Sequence, residues 1–240
     1  MHLTLNLTDR CNLVCSYCYA RPGTQDISLQ TACKAIALLA GKTNCGIIFF
    51  GGEPLLCKDL IWQVIDWCES VSPNVFHYKV TTSGTLLDEG FCRLANAHRL
   101  HIALSCDGIR QVHDRNRRWP DGSGTFDQVL DALWILLAYQ PYAPIMMTIN
   151  PETVGYLAES VMWLQSEGVK YLIASLNYAG PWTDKTLAQL RSQLLELAEW
   201  HKENYCSGRK FYFSPFDKRI ASHIFPGRGY RADAACVRSL

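Results

Sequence analysis

Leu3-Thr4-Leu5-Asn6-Leu7-Thr8-Asp9-Arg10-Cys11-Asn12-Leu13-Val14-Cys15-Ser16-Tyr17-Cys18 opens the chain with an apolar run and leads into three closely spaced cysteines. The same grammar, a short β-rich run and then a longer helix-like segment, repeats about six times. Strands are expected at Leu3–Leu7, Gly46–Phe50, His77–Thr82, His101–Ser105, Ile145–Asn150 and Tyr171–Leu176. Helices are expected at Leu29–Ala40, Leu60–Val71, Asp88–Ala97, Phe126–Tyr139, Glu152–Glu167 and Asp184–Tyr205. The last carries Leu187, Leu190, Leu194, Leu195 and Leu197 at largely helical spacing. Gly41 and Gly168 stand where helix C-termini favour a left-handed residue. Pro54, Pro120, Pro141 and Pro181 fall in connections. Such alternation makes a parallel sheet of βα units. The fold class is therefore α/β, an open, partial (β/α)6 TIM-like barrel over 1–207 with a short C-terminal extension over 208–240.

Three thiolates on one tight loop suit a cubane iron–sulfur cluster, [4Fe-4S], and leave one iron without a protein ligand. That iron can bind and activate a small molecule. Zinc is the competing reading. A structural zinc wants four ligands, and no histidine or fourth cysteine follows Cys18 closely, so Cys33 or Cys45 would have to serve.

Composition narrows the classes further. The 240 residues fit one large domain, or one domain with an appendage, and 48% are hydrophobic, enough for a full core. A net charge of +1 argues against a general nucleic-acid binder. The basic segment Arg110–Arg118 reads as a solvated face. Eleven cysteines, an odd count largely inside apolar patterns, read as free thiols in a reducing cytoplasm. No charged leader with an apolar stretch opens the sequence and no run is long enough to span a membrane, so the expected location is cytoplasmic.

Cys11-x3-Cys15-x2-Cys18, with Tyr17 before the last cysteine, resembles the signature of the radical S-adenosylmethionine (radical SAM) family. Phe50-Gly51-Gly52-Glu53-Pro54 resembles its Gly-Gly-Glu-Pro segment and Thr81-Thr82-Ser83-Gly84-Thr85 its third-strand motif. Leu104-Ser105-Cys106-Asp107-Gly108, followed by Val112-His113-Asp114-Arg115-Asn116-Arg117, resembles the peptide- and protein-modifying, sulfatase-maturase-like branch. The motifs keep their order over about half the chain, and each lies where a barrel strand ends. Active sites of parallel barrels collect on that rim.

The resemblance implies S-adenosylmethionine as second cofactor, chelated through its amino and carboxylate groups by the open iron. It further implies reductive cleavage of that cofactor and abstraction of hydrogen from a substrate. On that reading Gly51 and Gly52 admit the ligand's ammonium, and Glu53 adds a negative charge beside it. Ser83 and Ser105 suit ribose or carboxylate contacts, and Asn150, more than Asn177, suits the adenosine. Arg117 could fork onto the cofactor carboxylate, with Arg115 and Arg118 as alternatives. Asp107 could contact the cofactor or cap the turn that follows it. Tyr17 would shield the cluster, Cys106 packs as a small hydrophobe near the rim, and His113 with Asp114 reads as a loop stabiliser.

The expected partners are a peptide or protein substrate and an electron donor such as flavodoxin or ferredoxin. A nucleotide or small metabolite is the alternative target, and a zinc-stabilised binding module the alternative class. Relatives often hold further clusters in a cysteine-rich extension. Here the extension offers Cys206 nearby and Cys236, too few for another cluster, and no general base is assigned.

Overall fold

The computed structural model describes residues 1–39, 42, 44–72 and 76–225. Gly41, Cys236 and the glycine-rich stretch from Pro226 lie outside them. Seven strands form one parallel sheet: β1 (His2–Thr8), β3 (Cys45–Gly51), β4 (Phe76–Thr82), β5 (Leu100–Ser105), β7 (Ile145–Ile149), β8 (Tyr171–Leu176) and β9 (Tyr212–Phe213). They lie side by side in that order, with β1 and β9 at opposite edges, so the barrel is open. A second, two-stranded ribbon pairs β2 (Val14–Cys15) with β6 (Arg117–Arg118), antiparallel.

Each strand alternates between two faces, as strand geometry requires. Leu5 and Leu7, Ile47 and Phe49, Tyr78 and Val80, Ile102 and Leu104, and Met147 and Ile149 share one face and are buried. Helices cover that face: α1 (Leu29–Ala37), α2 (Lys58–Val71), α3 (Glu89–Ala97), α5 (Phe126–Tyr139), α6 (Leu157–Ser166) and α7 (Asp184–Cys206). Each large side chain so buried contributes about 1.5–3 kcal/mol. The other face lines the half-barrel and mixes half-buried Lys79, Thr81, Ser105 and Thr148 with apolar Ile48, Phe50, Met146 and Ile173.

All six expected strands and six expected helices are present, with ends shifted by a few residues. The largest shift is at α6. Its expected start, Glu152, belongs to a turn and a 3-10 segment, and regular helix begins at Leu157. Gly168 closes α6 in the left-handed region, with φ +93°. The β2–β6 ribbon, helix α4 (Arg110–Asn116), strand β9 and helix α8 (Ser214–Ile224) were not expected, and β9 adds a seventh strand to the six. Helix α4 is short and lacks a side-chain cap of its own, which is why its periodicity is invisible. The basic run it contains is solvated at Arg110, Arg115 and Arg118, as expected, and buried only at Arg117. Arg110 bonds Asp127, Arg115 bonds Glu152, Arg117 bonds Asp107, and Arg118 reaches the Asp114 carbonyl.

Candidate active site

The cysteine loop hangs from the carboxyl end of β1 and is drawn down onto its neighbours by backbone contacts. Gly52 N–H donates to the Thr8 carbonyl at 2.8 Å and Glu53 N–H to the Arg10 carbonyl at 2.9 Å. Only glycine permits this approach. A Cβ on Gly52 would stand 2.0 Å from the Arg10 oxygen, and one on Gly51, at φ +143°, would stand 2.4 Å from the Thr8 oxygen. On the opposite side Cys15 pairs with Arg117 in the β2–β6 ribbon, and Ser16 N–H donates to the Asn116 carbonyl at 2.8 Å.

Three chains of hydrogen-bonded polar side chains start on this loop and run inward. The first runs from Asn12, whose Nδ2 donates to Thr85 Oγ1 at 2.9 Å, to Ser83 at 3.1 Å. It ends on Glu53, which is 1% exposed. The Glu53 carboxylate accepts from the Leu55 N–H, the Thr82 hydroxyl, and both the N–H and the hydroxyl of Ser83. Four acceptor positions are thereby filled by this chain's own donors. Glu53 and Ser83, both expected to face the ligand, thus also brace the ends of β3 and β4 against one another.

The second chain starts at Tyr17, whose hydroxyl donates to Asp107 Oδ2 at 2.6 Å. Arg117 grips the same carboxylate with Nε at 3.2 Å and Nη2 at 3.3 Å, and the Thr148 N–H donates to it at 3.0 Å. The guanidinium also lies 5.3 Å from the centre of the Tyr17 ring. Burial works against the charge of Arg117, but Asp107, Tyr17 and Cys15 hold it protonated more firmly than usual. Burial and then the Asp107 charge raise the Tyr17 phenol well above its ordinary value. The third chain links Ser16 to Asn116 at 3.3 Å, Asn116 to Asn150 at 3.0 Å, and Asn150 to Asn177 at 2.8 Å.

His113 locks the strand β5 turn from beneath. Its Nδ1 accepts from the Asp107 N–H at 3.4 Å, and its Nε2 lies 3.1 Å from Thr125 Oγ1, which donates to the Arg117 carbonyl. Burial lowers its pKa to about 4. Asp114 accepts from the Thr125 and Phe126 N–H groups, capping α5 from another helix. The pair stabilises its loop, as expected. Cys106 is 2% exposed, with its thiol pushed up to about 12 by burial, a packed and unreactive group. Ser105, half-buried at the end of β5, joins none of the three chains.

The sulfurs themselves remain uncommitted. Cys11 and Cys18 are exposed and Cys15 is half-buried, and the thiols of Cys11 and Cys15 are raised, first by burial and in smaller part by the neighbouring cysteines. Burial contributes most, lifting Cys15 to about 11, while Arg117 pulls it back down. Among the described residues no three His, Cys, Asp or Glu side chains gather as an ion-sized site. A cubane takes each sulfur on a different iron and needs no fourth protein ligand, so three thiols on one loop suit it. Cys45 lies at the amino end of β3, the far end from the loop, and Cys33 neighbours Cys68. Neither is a fourth donor for zinc. Two buried polar atoms at the loop have no partner among the described residues, the Asn12 Oδ1 acceptor and the Asn116 Nδ2 donor. Native interiors rarely leave such atoms unmatched, so a bound group carrying a donor and an acceptor fits there.

Asn12, Ser16, Thr82, Thr85 and Asn116 were not singled out from sequence. Each sits inside or beside a quoted motif, and the signal was their adjacency to residues that were chosen.

Comparison with known proteins agrees with this geometry. Residues 5–164 match the family model described as the Radical SAM superfamily. An uncharacterized protein of Methanocaldococcus jannaschii is 33% identical over 172 residues, covering 70% of this chain and 60% of its own. A cysteine-type anaerobic sulfatase-maturating enzyme of Clostridium novyi is 24% identical over 179 residues, covering 69% of this chain and 48% of its own. The chain thus spans about half to three-fifths of these relatives. Among solved structures, native anSMEcpe with bound AdoMet and Cp18Cys peptide superposes with a TM-score of 0.80 at 20% identity, over 93% of this chain and 66% of that one.

Proposed function

The chain belongs to the radical SAM superfamily, and from that premise we propose that it modifies a peptide or protein by abstracting hydrogen from it. Cys11, Cys15 and Cys18 would hold a [4Fe-4S] cluster, with S-adenosylmethionine on the iron they leave open. When bound, these groups supply one-electron cleavage of the sulfonium, yielding methionine and a hydrogen-abstracting 5′-deoxyadenosyl radical. The chain's own work is to place and shelter them. Gly51 and Gly52 bring the loop against β3, and the Glu53 and Asp107 networks fix its two flanks. Asn12 and Asn116 offer the cofactor an acceptor and a donor. Ser105 and Thr148 line the half-barrel that would admit the substrate.

The observation that carries this reading is the trio of thiols on a loop buttressed from both sides, with no fourth cysteine or histidine of the described residues gathered beside it. A peptide target is supported by relatives named as sulfatase-maturating enzymes and by likeness to a structure that holds a peptide. A small electron-transfer protein such as flavodoxin or ferredoxin would supply the electron.

The test is anaerobic reconstitution. Wild-type protein should turn brown, bleach with dithionite, and release 5′-deoxyadenosine, faster when its peptide is present. Cys15→Ala should lose both colour and cleavage. A colourless wild-type protein carrying stoichiometric zinc would refute the assignment. Cleavage unaffected by any peptide but stimulated by a metabolite would move the substrate to the small-molecule class.

A further inference from the structure

On the helix-covered side of the sheet, away from the cysteine loop, a groove of about 620 Å³ opens between α7, α8 and the end of β8. Ile149, Ala174 and Leu176 form its floor, and Leu190, Leu194 and Phe216 its walls. Strand β9 pairs only with Tyr171 and Leu172, and Ser214 Oγ bonds the Ala174 backbone. Among the described residues no strand therefore pairs with the edge of β8 from Ser175 onward. Lys218 and Arg219, exposed on consecutive positions of α8, stand on the rim, and among the described residues no carboxylate lines the groove. An apolar trough with an unneutralised cationic rim selects for its opposite, apolar side chains flanked by carboxylates.

The geometry points to this groove as a docking site for an acidic, leucine-bearing segment of a partner polypeptide, bound outside the half-barrel. The chain's own C-terminal residues are a poor occupant on charge. Positions 226–240 contain Arg228, Arg231 and Arg238 against a single Asp233, the same sign as the rim. The site lies towards the β8–β9 edge of the sheet, opposite the β1 edge that carries the cysteine loop, and it meets the loop networks through Ile149, whose carbonyl accepts the Asn177 N–H at 2.9 Å.

The probe is a fluorescein-labelled twelve-residue peptide of alternating leucine and glutamate, with the leucine–lysine counterpart as control. The acidic peptide should raise the anisotropy of wild-type protein, less so as salt rises. Lys218→Glu with Arg219→Glu, both exposed and harmless to folding, should weaken it about tenfold or more. The variant Cys11→Ala, Cys15→Ala, Cys18→Ala should bind as wild type does, which separates this result from the fate of the radical assignment. The inference is overturned if the charge-reversed variant binds equally well, if the lysine peptide binds as tightly, or if neither peptide binds. It is also overturned if light scattering shows wild-type self-association that the charge reversal abolishes, since a second copy then fills the groove.

Discussion

The N–H and the hydroxyl of Ser83 both donate to Oε2 of Glu53, at 2.8 and 2.6 Å, joining the end of β4 to the start of the turn after β3. With Thr82 and Leu55 on Oε1, the carboxylate is a strut between the two strand ends. Glu53→Ala should strand these donors in a buried setting and cost about 3–5 kcal/mol, since each unmatched buried group costs about 1–3. Glu53→Gln keeps one oxygen and should lose about half as much. Urea unfolding of the apoprotein measures both. An alanine variant as stable as wild type, but unable to bind S-adenosylmethionine, would show that Glu53 serves the ligand alone.

Arg117 and Asp107 make a buried pair whose side chains are 9% and 0% exposed. Removing one partner of such a pair leaves an uncompensated charge and costs about 3–5 kcal/mol. Arg117→Gln should fall in that range. Arg117→Lys should recover only part of it, because a point charge cannot reproduce the two-pronged contact. Tyr17→Phe removes one hydrogen bond to an ionised group and should cost about 1.5–3 kcal/mol. If Tyr17 and Arg117 act through the same carboxylate, the double variant will cost less or more than the sum of the singles, and a double-mutant cycle reads the difference.

How much of this was legible from sequence depends on the range of the interaction. The strands announced themselves through local alternation, as in Leu3-Thr4-Leu5-Asn6-Leu7, and the parallel order followed from short βα repeats. The cysteine loop was legible because its spacing is itself the chemistry. What the sequence did not display was which side chain meets which. Arg117 looked like a cofactor ligand because its partner, ten residues earlier in Asp107, is brought to it by the turn between β5 and α4. Gly51 and Gly52 were read as room for a ligand; the chain's own Thr8 and Arg10 carbonyls also occupy that space. Asn116 was passed over because an asparagine inside a short helix carries no signal until Ser16, a hundred residues away, arrives beside it.

His113 predicts the acid response. Its folded pKa, about 4, lies below the ordinary value of 6.5 because burial disfavours the imidazolium. The unfolded chain therefore binds the proton first. The contribution of the neutral ring is complete above about pH 6.5, declines as pH falls towards 4, and is flat below that, a total of about 3 kcal/mol. His113→Gln retains a donor for Thr125 and an acceptor for the Asp107 N–H. It should be less stable at pH 7 by about 1–2 kcal/mol, and its melting temperature should fall less steeply between pH 6.5 and 4. Parallel wild-type and variant curves across that window would sink the assignment.

Gly52→Ala tests whether the loop must lie against β3 to function. The added methyl would sit 2.0 Å from the Arg10 oxygen, 2.6 Å from its carbonyl carbon and 3.2 Å from the Cys11 Cβ. None of these is the free end of a flexible side chain, so the backbone carrying Cys11 must move. Overpacking of this kind costs about 1–3 kcal/mol, and because it displaces one sulfur relative to the other two, iron retention should suffer more than folding. Gly155→Ala is the matched control, since its nearest atom, Gln189 Nε2, is 4.0 Å away. Iron and sulfide content after reconstitution should drop in the Gly52 variant and stay at wild-type level in the control. Full cluster loading in Gly52→Ala would show that the close approach is incidental to holding the three thiols in register.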